Sequence, residues 1–378
     1  MSVQPVITRK HSEIAEWIKA EIVAGNIRPG DRILSESEIC RKFNVSRTSV
    51  RLAISNLSKE GLVESQKGVG TFCRSGKQNA NIDLALVCFF PSSYIFPRIA
   101  SGFDEQTHRL GHHMLFNHSG LRLDREAEIL RKLRSRGVGG IALEPINPGS
   151  NDPASPVDLR LTNYQLIKEI RDQGIGVVLL DSNFGDGTFP SIVLDDKRGG
   201  EMAARYLWDR GHRDIGIVCA QDHLAKKLRA WAALSFLSAA GAPVPARWRI
   251  QPQTTRNAGA AIEEFFATSG SLPSAFLCTN DEEAVALHRV ASARGLRVPG
   301  DISLISFDNS DYAQLPGLDL TSIDHPGAFI GEKAAQMLAD HTGFPGLKFS
   351  ATFTVEPVIV ERSSVLDLGP RTGQGGAT

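Results

Sequence analysis

The feature that most restricts this chain is an alternation, held from residue 82 to residue 307, between short apolar runs and stretches of helical periodicity. Apolar runs at 82–90, 113–117, 140–144, 176–180, 215–219, 275–278 and 302–307 are too short for helices and read as strands. Between them, 97–110, 124–136, 164–173, 198–210, 224–240 and 282–294 repeat their apolar residues at helical spacing. Strands that are apolar on both faces and connected through helices belong in parallel sheets covered on both sides. The expected fold class is α/β, with two parallel doubly wound sheets in this part of the chain.

The first eighty residues break that rhythm. Ile14, Trp17, Ile18 and Ile22 give one helix, closed by Gly25-Asn26. Ser35-Glu36-Ser37-Glu38 is a capping box, and Ile39, Cys40 and Phe43 share one face of the helix it opens. After a short turn at Asn44-Val45, Ser46 can cap a third helix whose buried stripe is Val50, Ala53, Ile54 and Leu57, with Gly61 to end it. Two helices joined so tightly form a helix-turn-helix. Segments 62–65 and 71–73 alternate about Lys67-Gly68-Val69-Gly70, a hairpin in which Gly68 and Gly70 let the tip approach another backbone closely. This hairpin is the wing.

Charge points the small segment at a polyanion. The formal net charge is zero, yet residues 1–80 hold 13 Lys and Arg against 8 Asp and Glu, a surplus of five, and the remainder holds 29 against 34. In a helix-turn-helix the N-terminal end of the second helix enters the major groove, which selects Ser46, Arg47, Thr48, Ser49 and Arg51. Arg47 has the fork to read a guanine edge, and hydroxyls and N–H groups at a helix N-terminus suit phosphate oxygens. Singly, Ser46 reads equally as a cap and the arginines as solvated cations; together they point to double-stranded DNA.

Other classes lack their residues. No stretch has the roughly 20 uninterrupted apolar residues of a spanning helix, and the first thirty residues carry charges where a signal peptide is apolar, so no membrane partner and a cytoplasmic location are expected. Cys40, Cys73, Cys88, Cys219 and Cys278 are scattered without C-x-x-C spacing and read as reduced. No G-x-G-x-x-G follows a strand and no G-x-S-x-G occurs. His108 and His112 have the i, i+4 spacing of metal ligands but no acidic third ligand, so a surface role is taken, with no metal and no cofactor. Without a convergent nucleophile, base or metal set, no enzyme is expected.

Pro29-Gly30-Asp31, Ser35-Glu36, Val45-Ser46-Arg47-Thr48-Ser49-Val50-Arg51, Glu60-Gly61-Leu62-Val63 and Gly68-Val69-Gly70-Thr71-Phe72 follow one another as in the winged helix of the GntR family, which this segment resembles. Ile33-Leu34 and Ser37 depart from that pattern, which has Leu-Pro and an arginine there. One customary DNA-contacting cation is therefore absent. Val177-Val178-Leu179-Leu180-Asp181, Val193-Leu194-Asp195-Asp196, Gly199-Gly200, Gly211-His212-Arg213-Asp214-Ile215, Thr279-Asn280-Asp281 and Ser306-Phe307-Asp308-Asn309 resemble the effector domain of LacI/GalR repressors, itself similar to periplasmic sugar-binding proteins. The whole is similar in plan to arabinose-responsive repressors of the AraR type. The division expected is a winged helix at 1–75, a polar linker at 76–81, an effector-binding and dimerisation domain at 82–366, and a disordered tail at 367–378.

The resemblance implies two subdomains joined by crossings near Leu194-Asp195, Ile323-Asp324 and Gly343, with the effector between them. It also implies a homodimer on a pseudo-palindromic operator, acting as a repressor. Open α/β sheets bind ligands beyond strand C-termini, which selects Asp181, Asn280 and Asp308. Carboxylates and an amide suit paired sugar hydroxyls; Asp308 also reads as a turn cap and Asn280 as a helix cap. Lys227 stands where the resemblance expects an arginine four residues before an aromatic, here Trp231, so a point charge replaces a planar clamp; alternatively, Lys226, Lys227 and Arg229 are a solvated face. Thr254 stands where an aromatic is usual, Tyr94 and Phe96 could supply apolar cover, and Trp231 reads as helix packing. The expected effector is a sugar or sugar derivative; a transport-type solute-binding protein and a regulator answering to a non-sugar ligand are the alternatives.

Overall fold

The computed structural model describes residues 6–23, 26–27, 30–66, 69–73, 82–89, 95–147, 157–343 and 352–369. The small N-terminal unit contains helices Val6–Val23, Glu36–Phe43 and Arg47–Lys59 and the antiparallel hairpin Val63–Gln66 with Gly70–Cys73. Ile14, Ile18, Ile39, Val50, Ala53, Leu57 and Leu62 are wholly buried in one core, which is why three short helices hold together at all. The capping box forms: Glu38 N–H donates to Ser35 Oγ at 3.3 Å, and Ser35 N–H donates to Glu38 Oε2 at 2.7 Å. Arg32 bridges Phe72 in antiparallel fashion, lending the wing a third backbone.

The larger unit is α/β. Its first sheet runs, in spatial order, His113–His118, Asp83–Cys88, Gly140–Leu143, Gly176–Leu180, Ser191–Leu194 and Thr352–Val355, all parallel. The second runs Arg249–Ile250, Ile215–Val218, Ala275–Cys278, Ser303–Asp308, Thr321–Asp324 and Ile359–Val360, parallel except for the last strand. Helices cover both faces, as continuous apolar strands require.

The chain passes from the first sheet to the second after Leu194 and returns after Asp324, as expected. The third passage lies between Val355 and Ile359, not near Gly343. Helix Gly327–Gly343 returns to the first sheet, and Thr352–Val355 adds one more strand beside Ser191–Leu194 before the chain leaves. That strand shows the solvent partly apolar residues, too weak a pattern to separate from a loop. The linker at 76–81 lies outside the described residues, as does the tail beyond Gly369. Leu368 N–H donates to Arg210 O at 2.8 Å, so the first residues of the expected tail pack on the second sheet's domain.

Two helix pairs approach so closely that glycine is obligatory. A Cβ at Gly102 would collide with the Ala328 carbonyl, and one at Gly331 with that of Ile99, where helices Phe96–Arg109 and Gly327–Gly343 cross. In the second subdomain a Cβ at Gly200 would collide with the Arg229 carbonyl.

Candidate functional site

The C-terminal ends of both sheets open onto one cavity of about 380 Å³. From the first subdomain come Phe89, Glu144 and Asp181, each just after a strand; from the second come Asp308, which ends its strand, Asn280, two residues after one, and His223, which caps the helix that follows another. Strand ends present the residue that leaves the pleat, so one cavity gathers side chains from distant parts of the chain. The two halves meet across it: the Phe89 and His223 rings lie edge to face at 5.4 Å, and Arg98 Nη1 donates to Asn309 O at 3.0 Å.

Arg229 organises the floor. Its Nε donates to Asp196 Oδ1 at 2.7 Å, and its Nη1 to Asp308 Oδ1 at 3.0 Å and to Thr279 O at 2.9 Å. All three charged groups are buried. Burial works against the guanidinium's charge, but two facing carboxylates hold it protonated, with its pKa raised. Asp308 adopts φ 102° and Asn309 φ 44°, a left-handed pair fixed from behind. Asp281 accepts from the Ser306, Ser310 and Ser322 hydroxyls and from Ser310 N–H, and Ser322 Oγ accepts from Asn309 N–H at 2.9 Å. Burial and the nearby Asp308 push the Asp281 pKa up to about 6.

Opposite lies a second pair. His325 Nε2 and Asp181 Oδ1 are 2.8 Å apart. Burial alone would depress the imidazole's pKa; the Asp181 carboxylate overrides it and raises the value to about 9. Glu144 accepts from Phe89 N–H at 3.0 Å, and burial with the Asp181 charge lifts its pKa to about 8. His223 behaves oppositely: burial and Lys226 lower it to about 4. Its Nδ1 accepts from Ala225 N–H at 3.3 Å, so the neutral ring carries its proton on Nε2, which is buried and without a partner. At the rim, Lys226 Nζ donates to Asp222 Oδ1 at 2.6 Å and Thr255 Oγ1 at 2.5 Å, and Asn280 Nδ2 donates to Thr255 Oγ1 at 3.4 Å.

Of the residues selected from sequence, Asp181, Asn280, Asp308 and Thr254 line the cavity, and Tyr94 lies outside the described residues. Asn280 also caps helix Asp281–Ser292, accepting from Glu283 N–H at 2.9 Å, so the cap reading is met while the side chain also lines the cavity. Lys227 does not line the cavity. In helix Leu224–Ala239 it turns away from the face shared by Ala225, Lys226 and Arg229, and its burial lowers its pKa. A planar guanidinium does line the cavity two residues later, at Arg229, and that basic cluster is not a solvated face. Phe96 is also absent from the cavity: it is buried beside Ile99 and Phe103, 5.4 Å from Phe116, and Phe89 supplies the apolar cover. Trp231 is 40% exposed under Lys197. Glu144, Asp196, His223 and His325 are not among the residues selected from sequence, although Asp196 closes the motif Val193-Leu194-Asp195-Asp196 and Glu144 ends the apolar run 140–144.

On the small unit, Ser46 caps helix Arg47–Lys59, accepting from Ser49 N–H at 3.3 Å. Arg47 and Thr48 are exposed, and Arg51 Nε donates to Glu36 at 3.1 Å. Ser49 departs from expectation: it is buried, with its hydroxyl 3.2 Å from Ser46 Oγ, because its position turns inward beside Val50. Gly70, at φ 148°, leaves room for Arg32, whose Nε would stand 2.7 Å from a Cβ there; Gly68 lies outside the described residues. Among the described residues, no group of three His, Cys, Asp or Glu side chains could hold a metal, and no helix is long and apolar enough to cross a membrane.

Residues 204–365 match the periplasmic binding protein-like domain, and residues 10–73 match bacterial regulatory proteins of the gntR family. The chain is 28% identical over 366 residues to the arabinose metabolism transcriptional repressor of Geobacillus stearothermophilus, covering 95% of this chain and 98% of that one. It is 29% identical over 304 residues to the HTH-type transcriptional repressor PurR of Yersinia pestis bv. Antiqua, covering 79% and 83%. Its fold is that of a LacI family transcriptional regulator from Enterococcus faecium solved with bound ribose, at TM-score 0.64 and 22% identity, over 76% of this chain and 100% of that one.

Proposed function

Starting from a gntR-type helix-turn-helix joined to a periplasmic-binding-protein-like body, we propose that this chain is a transcriptional repressor whose operator affinity is set by a carbohydrate held in the cleft. It acts in the cytoplasm as a homodimer on a pseudo-palindromic operator and performs no chemical step. The observation that carries this reading is the cavity between two subdomains, lined by charged and amide side chains, in the same chain as the exposed Arg47 and Thr48. Ionic and amide groups that accept or donate in pairs, Asp181, Arg229, Asn280 and Asp308, face the apolar Phe89 and Leu194, the arrangement an uncharged ring with hydroxyls on its edge needs. The two relatives named above are themselves repressors, one of arabinose metabolism.

Ligand between the subdomains favours one relative orientation of the two, and in a dimer that orientation sets the spacing of the reading helices against half-sites one helical turn apart. A coupling of about 1–3 kcal/mol changes operator affinity about 5–150-fold. The test is a thermal-shift screen against pentoses, hexoses, sugar acids and polyols, followed by titration of each hit against an operator from the chain's genomic neighbourhood. A hit that stabilises the protein and alters operator affinity supports the reading. Binding to no duplex, with or without these compounds, rejects it. Arg47→Ala should weaken the operator complex far more than that with random duplex; equal weakening reduces Arg47 to a phosphate contact.

A further inference from the structure

One apolar side chain stands where solvation alone gives it no reason to be. Helix Arg47–Lys59 buries Ser49, Val50, Ala53, Ile54 and Leu57, while Arg47, Thr48, Arg51, Leu52 and Ser55 are exposed. At about 100° per residue these five span an arc of about 140° on one face. Leu52 is 40% exposed and takes no part in the core of the small unit. It lies one turn after Thr48 and about 40° from it around the helix, at the edge of the exposed arc on which Arg47 and Arg51 also stand. Charged neighbours argue against a greasy protein partner for so small a patch; they suit a polyanion that also offers isolated apolar groups. Duplex DNA is such a partner, because the thymine C5-methyl projects into the major groove beside base-edge acceptors.

We propose that Leu52 is a specificity-determining residue that contacts a thymine methyl in the operator half-site. The inference rests on the DNA-binding reading above and adds the chemical group read at one position. Its contribution is apolar and therefore independent of counterion release. Burial of one methyl is worth about fourfold in affinity, from about 0.8 kcal/mol per buried carbon.

The experiment uses the full-length protein and a duplex selected by it from a randomised pool, with each thymine of one half-site replaced in turn by deoxyuridine, which removes only the methyl. The expected result is a single position at which wild type loses about fourfold, and at which Leu52→Ala binds thymine and deoxyuridine equally. Leu52→Ala should also leave affinity for random duplex and the salt dependence unchanged. Leu52 is exposed, so circular dichroism should report an intact fold. If every deoxyuridine is neutral for wild type, or if the loss persists in Leu52→Ala, the assignment is overturned while DNA binding stands. If no duplex is selected, the parent reading falls and this one with it.

Discussion

Arg229 shows how much one side chain can hold. It is the shared cation of two buried carboxylates, and removing it leaves both without a counterion. Arg229→Ala should destabilise the protein by about 3–5 kcal/mol, read as a lower midpoint in urea with the slope retained. A loss under about 1 kcal/mol would mean that water already screens the triad. The histidines make the pH dependence legible. His325, raised to about 9 from 6.5, contributes stability that is complete below pH 6.5 and is lost as pH climbs through 9. His223, lowered to about 4, contributes stability present above pH 6.5 and lost as pH falls towards 4. The stability advantage of wild type over His325→Gln should therefore shrink between pH 6.5 and 9, measured by thermal unfolding across that range. A pH-independent difference would show that the ring packs there uncharged.

At the scale of elements, the contacts that matter are backbone to backbone. Gly102 and Gly331 let two helices touch through carbonyls, and Gly200 does the same against the turn of helix that carries Arg229. Gly102→Ala should cost about 1–3 kcal/mol or more, because the obstacle is main chain and cannot rotate away. Gly200→Ala carries a further consequence. By pushing the Arg229 segment it should weaken effector binding even where the protein remains folded, as isothermal titration with an identified ligand would read; unchanged affinity at reduced stability would assign Gly200 to packing alone. The sequence displayed Gly199-Gly200 as a motif, but not its reason, since the partner carbonyl lies some thirty residues away and on another helix.

Across the whole molecule, binding and control are one equilibrium. If effector lowers operator affinity by some factor, operator must lower effector affinity by the same factor. Fluorescence titration of the effector with and without saturating operator should return that factor; an effector affinity indifferent to operator would leave the cleft a site without control. Phe89 lies against His223 and Arg98 against Asn309, so a ligand that shifts the subdomains' relative orientation must also alter these contacts between them.

Periodicity, caps and turn residues determined the helix-turn-helix, the wing and the alternating strands and helices, because those signals are local: a 3.6-residue stripe, a serine three residues before a glutamate, a glycine after the last turn. Strand ends likewise marked Asp181, Asn280 and Asp308 as cleft residues. What tertiary structure decided was rotation and partnership. One residue's step around helix Leu224–Ala239 separates buried Lys227 from Lys226 in the cleft, and a helix's inward face can be assigned only once its neighbours are known. Phe96 and Ser49 turned inward for the same reason. The Asp181–His325 pair joins residues 144 positions apart, and the last passage between subdomains depends on an edge strand pairing with Ser191–Leu194. Such contacts form only when distant segments meet, and their free energy resides in burial and charge pairing that no local pattern records.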